Sequence, residues 1–161
     1  MVEMELVGVR VELPTNTPIV LLRETGGDRR MLPIFIGAPE ATAIAFALEQ
    51  VPTPRPMTHD LVKNLLDEVG VTLERIVVTD LQDSTFFAEL HLVQGEDTHQ
   101  LSSRPSDAIA LAARTGSPIF AEESVLDEVG YTVREEAQPE EEVVEEFRRF
   151  IDNIDPEDFA S

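Results

Sequence analysis

Ser103, Arg104, Ser106 and Asp107 crowd the start of one small-residue segment, Ser103-Arg104-Pro105-Ser106-Asp107-Ala108-Ile109-Ala110-Leu111-Ala112-Ala113-Arg114-Thr115-Gly116. Proline just inside and glycine just past the end mark a helix, and Ser103, Ser106 and Asp107 can accept its orphan backbone N–H groups. The same edge suits a phosphate, since a helix N-terminus carries partial positive charge and Arg104 adds a full one. Three acids invite the same double reading. Glu40, Asp60 and Asp107 each fall in or near the first turn of a helix, where an acid caps the backbone and complements the dipole. Converging in space, they would instead hold Mg²⁺ or Mn²⁺, which polarises a phosphate and activates water for phosphodiester hydrolysis.

His59 is a candidate general base or metal ligand, or the maker of a structural hydrogen bond near a helix start. Beside Asp60 it forms a His-Asp pair, but the further spaced histidines and acid of a metal phosphohydrolase are absent. His91 falls in a strand and His99 near a turn, so neither makes the i, i+4 spacing of a helical zinc site. Ser106 has no histidine beside it in sequence and is not read as a nucleophile. The chain has no P-loop, no GxGxxG and no aromatic-basic stripe.

The elements that position these groups follow from periodicity. Val7, Val9, Val11 and Leu13 alternate with Gly8, Arg10 and Glu12, a half-buried strand that Pro14 to Pro18 breaks. Ile19 to Arg23 and Met31 to Ile36, joined by Gly26-Gly27-Asp28, complete a meander. A helix over Pro39 to Glu49 follows, then a stiff loop, Val51-Pro52-Thr53-Pro54-Arg55-Pro56. Thr58 is expected to cap an amphipathic helix carrying Leu61, Val62, Leu65, Leu66 and Val69 on one side, stopped by Gly70.

Val71 to Leu81, Thr85 to Val93 and a short strand ending near Leu101 make a second meander, followed by the Pro105 helix. Pro118-Ile119-Phe120-Ala121, a short helix near Glu122 to Asp127, and Tyr131-Thr132-Val133 close the body. Ala-Ile-Ala-Phe-Ala at 43–47 echoes Ala-Ile-Ala-Leu-Ala at 108–112, a suspected pseudo-repeat whose alternative is chance similarity between two alanine helices. The order predicts an α+β fold: a mixed, mainly antiparallel sheet built from meanders and packed by alanine-rich helices.

Composition sets outer bounds. At 161 residues the chain suits one domain with an appendage. With no cysteine it has no disulfides or thiolate metal sites. Its apolar runs are far short of a membrane span, so no membrane partner and a cytoplasmic location are expected. The formal charge of −20 argues against an ordinary basic nucleic-acid binder. Residues 135–161 hold 11 acids against 2 bases, and Ala137-Gln138-Pro139 marks a boundary. We therefore divide the chain into a domain over 1–134 and an acidic linker with an amphipathic C-terminal helix over 135–161. The stripe of Val144, Phe147, Phe150, Ile151 and Ile154 would dock on the chain's own body or a neighbouring subunit.

Four separated motifs in one order resemble the bifunctional nuclease domain family: Leu32-Pro33-Ile34-Phe35-Ile36-Gly37, Glu40-Ala41, Arg55-Pro56-Met57-Thr58-His59-Asp60-Leu61, and Ser103-Arg104-Pro105-Ser106-Asp107-Ala108-Ile109-Ala110-Leu111. The resemblance covers Val2 to about Arg134, and the acidic tail resembles the extension of actinobacterial members. It implies an α+β domain, self-association into a homo-oligomer, and DNase and RNase activity assigned largely on plant relatives. It brings no agreed catalytic set. Phe35 stands where members often have tryptophan.

Two functions remain open at this point. One is a metal-dependent nuclease acting on DNA or RNA, with Glu40, His59, Asp60 and Asp107 catalytic, Glu40, Asp60 and Asp107 holding Mg²⁺ or Mn²⁺, and Arg104 and Ser106 binding phosphate. The other is a non-catalytic, self-associating module that binds a small anion or protein partner. Geometry separates them: the motif residues open onto one cleft, or scatter as separate helix caps.

Overall fold

In the computed structural model, which describes residues 1–132, hydrophobic alternation resolves into two three-stranded antiparallel meanders. The first is β1 (Val2–Glu12), β2 (Thr17–Glu24) and β3 (Met31–Phe35), and the second is β4 (Thr72–Gln82), β5 (Thr85–Gln94) and β6 (Asp97–Ser103). Each leads into an alanine-rich helix, α1 (Ala38–Leu48) after the first and α3 (Pro105–Thr115) after the second, with α2 (Thr58–Glu68) between the halves. The repeated order, three strands and then a proline-opened helix, supports the pseudo-repeat.

A strand of three residues joins the halves. β7 (Ile119–Ala121) pairs antiparallel with β1 and parallel with β4, giving the sheet order β3-β2-β1-β7-β4-β5-β6. Ile119 and Ala121 are both buried, and the strand's backbone is bonded on both sides, so a short segment can hold the centre of the sheet. The fold is α+β with a mixed, mostly antiparallel sheet, as the sequence predicts.

α1 and α3 pack on one face of this sheet and against each other. Ala41 and Ala45 of α1 and Ala108, Ala110 and Ala112 of α3 are buried in the main core with Ile44, Ile109, Val9, Val20 and Ile76. Small side chains at these positions let the helix backbones approach closely. Gly116 ends α3 in the left-handed conformation at φ 74°, where a side chain would be strained. α4 (Glu123–Val129) adds Val125 and Leu126 to the core. It is fastened by Arg30, whose guanidinium donates to Glu24 at 2.8 Å and Glu123 at 2.6 Å. The Arg30 hydrogen bonds hold the Glu24 carboxyl below its usual range despite its burial.

The structure departs from the expected pattern at four places. A register shift between Leu6 and Gly8 makes a bulge in β1, so Val7 packs with Ile19, Leu21 and Met31 while Val9 joins the main core on the other face. Leu13 lies beyond β1 and is 76% exposed. The N-cap of α2 is Met57, with Thr58 already inside the helix, because Asp60 reaches back to the Met57 N–H at 2.9 Å. Tyr131-Thr132-Val133 is no strand over its described part: Tyr131 makes a single bridge to Met31. No helix among the described residues is long and apolar enough to cross a membrane. The acidic linker and amphipathic helix expected over 135–161 lie outside the described residues.

Candidate functional site

The first turns of three helices meet at one cleft of about 660 Å³. α1 brings Glu40, α2 brings His59, and α3 brings Arg104 and Asp107, with Leu90 and Leu101 of the sheet as apolar lining. Their N-termini each present the positive end of a peptide dipole. That gives an acidic chain a locally favourable place for an anion.

Arg104 is the hub. Its guanidinium lies 2.9 Å from Glu40 Oε1 and donates from Nε to Asp107 Oδ2 at 2.9 Å, joining α1 to α3. The second Asp107 oxygen is 2.8 Å from His59 Nε2, which adds α2 to the chain Glu40–Arg104–Asp107–His59. Burial pushes the Asp107 carboxyl up, but the hydrogen bonds from His59 and Arg104 outweigh it and hold the group below its usual range. Arg104 is raised in turn, first by its hydrogen bond to Asp107. An ionised Asp107 can only accept, so the bonded Nε2 of His59 donates, and in the neutral ring Nδ1 then carries the lone pair.

Asp60 turns away from this chain. Its Oδ1 accepts from Arg114 Nε at 2.6 Å and its Oδ2 from the Met57 N–H. Burial raises its carboxyl, and the Arg114 and Met57 hydrogen bonds more than offset that, leaving it lowered. Neighbouring helical residues point about 100° apart, so His59 faces the cleft and Asp60 does not. The structure therefore brings Glu40, His59, Arg104 and Asp107 together and leaves Asp60 out. Among the described residues no three His, Asp or Glu side chains gather as a metal site. Glu40 and Asp107 are instead bridged by an arginine, and this arrangement does not fit the three-carboxylate set proposed from sequence.

Ser106 also stands apart, lining a smaller hollow beyond Arg104 rather than the cleft. The capping role read for Ser103, Ser106 and Asp107 is not realised: the N-cap of α3 is Arg104, Ser103 Oγ donates to the Arg104 carbonyl at 2.9 Å, and Asp107 is held by His59 and Arg104. Arg114 was not singled out from sequence as a site residue, yet it lines the cleft, is nearly buried and anchors Asp60. Its position seven residues after Asp107 places it on the same face of α3, a signal available from spacing alone. Gly37 matters too, since a Cβ there would run into the Glu40 carboxylate.

Comparison with known proteins agrees with the motifs that form this cleft. The chain is 44% identical over 165 residues to an uncharacterized protein of Mycobacterium tuberculosis, covering 99% of this chain and 98% of that one. It is 31% identical over 104 residues to bifunctional nuclease 1 of Oryza sativa subsp. indica, and 31% over 112 residues to bifunctional nuclease 2 of Arabidopsis thaliana. Those matches cover 63% and 66% of this chain but only 31% and 34% of the plant proteins. The profile of the bifunctional nuclease domain matches residues 20–134, which include every residue of the Arg104 cleft. The chain belongs to the bifunctional nuclease domain family.

Proposed function

We propose that this protein is a nuclease that hydrolyses phosphodiester bonds of DNA or RNA at the Arg104 cleft. The observation that carries the reading is the Glu40–Arg104–Asp107–His59 chain where three helix N-termini meet. Arg104, 65% exposed, is free to move from its two carboxylates onto a substrate phosphate, which it can grip bidentately. The helix dipoles stabilise the added charge. His59, oriented by Asp107, takes the proton of the attacking water or hydroxyl.

The sequence expectation of Mg²⁺ or Mn²⁺ is a separate arm of the test, since no step here runs through a metal. Purified protein is assayed on single-stranded DNA and RNA with Mg²⁺, with Mn²⁺ and with chelator, beside His59→Ala and Arg104→Ala. Loss of general-base help should slow turnover by about 10²–10⁴-fold in His59→Ala, and Arg104→Ala should raise KM and lower kcat. Turnover that survives both substitutions, or no turnover by the wild type, overturns the proposal.

A second reading, a non-catalytic self-associating module, draws support from α2. Leu61, Leu65 and Val69 are more than half exposed there, an apolar stripe without cover among the described residues. An inert wild type that sediments as an oligomer would favour it.

A further inference from the structure

Arg104 forms a wall between two hollows. On one side is the His59 cleft; on the other lies a hollow of about 220 Å³, lined by Phe35, Ser84, Thr85, Phe86 and Ser106 together with Arg104. Phe35, at the end of β3, is 60% exposed. Ser106, only 6% exposed, also lines it.

We propose that this hollow is a subsite for an unstacked nucleobase of single-stranded nucleic acid, adjacent to the phosphate that Arg104 would hold. Three features select a neutral planar ring. Pockets for whole drug-sized ligands begin at about 300 Å³, so this one suits a single ring group. Its walls include two phenylalanines, and every base has a π-face to lay on an aromatic ring. Apart from Arg104 at its edge, its polar side chains are hydroxyls, which donate or accept and so can meet a base edge without demanding charge. The location of the phosphate rests on the nuclease reading above; base stacking does not depend on hydrolysis.

The chain has no tryptophan, so Phe35→Trp is a single fluorescent reporter at an exposed position. In chelator, it is titrated with a short oligothymidylate, with the same backbone lacking bases, and with inorganic phosphate. Stacking predicts quenching by the oligothymidylate alone. Phe35→Ala should weaken oligothymidylate binding by about 5- to 150-fold, the range for one lost stacked base, and leave the abasic strand unaffected. Ser106→Ala should weaken the base-bearing strand only. An unquenched tryptophan, quenching by phosphate alone, or unchanged affinity in Phe35→Ala overturns the proposal. A strand that is bound with quenching but never cut refutes hydrolysis and keeps the subsite, whereas a strand that is cut while the tryptophan stays unquenched does the reverse.

Discussion

Asp60 and Asp107 have the same chemistry and similar places at helix starts, yet different neighbours give them different jobs. Asp107 orients His59 and pins Arg104, whereas Asp60 secures the start of α2 and holds the nearly buried Arg114. Both carboxyls are lowered in the folded state, so each contributes stability that is present above the unfolded value of about 3.9 and lost as pH falls through the lower folded value. Asp60→Asn should therefore cost on the order of 1–2 kcal/mol at neutral pH, discounted for the carboxylate's partial exposure. Thermal midpoints of the two proteins should converge as the pH falls through the lowered folded value. A gap that persists there would mean that the amide disturbs packing rather than charge.

At the scale of elements, alanine-bearing faces set how near the helices come. Pro105 opens α3 as Pro39 opens α1, both legible from sequence, and Ala110 is fully buried. Ala110→Leu should overpack that face and cost about 1–3 kcal/mol. Leu61→Ala on the exposed side of α2 should change stability by no more than about 0.5 kcal/mol. The pair is measured by thermal unfolding. Equal midpoints for Ala110→Leu and wild type would show that the α3 face has room. The stripe on α2 shows the limit of periodicity: it reveals that a helix is amphipathic, but α2 rests on α3 and β4 through its other side.

For the whole molecule, a net charge of −20 must be reconciled with the polyanionic substrate of the proposed nuclease. In that reading local dipoles and Arg104 would supply the attraction, and the acids of 135–161 would oppose it at long range. Deleting residues 140–161 removes nine acids and two bases, so heparin and oligonucleotide affinity should rise several-fold at low salt. The gain should fade near 0.15 M, where the Debye length is about 8 Å. Identical affinities at low salt would show that the tail charge does not reach the cleft. Docking of this segment on the body or on a second subunit would appear in the same protein as exposed apolar surface or a changed oligomeric state.

The meanders, the proline-opened helices, the glycine stop of α3 and the presence of acids on first turns were all determined by the sequence by itself, because each depends on residues only a few positions apart. Tertiary structure decided what depends on long-range pairing. Three residues of β7 carry too short a pattern to announce a central strand, and only pairing with both β1 and β4 puts them there. The bulge at Leu6–Gly8 inverts an alternation that reads as regular. Most of all, the rotation of each helix about its own axis is fixed by what it packs against. That rotation brings Glu40, His59 and Asp107 to one arginine, sends Asp60 to another, and aims Ser106 into a separate hollow.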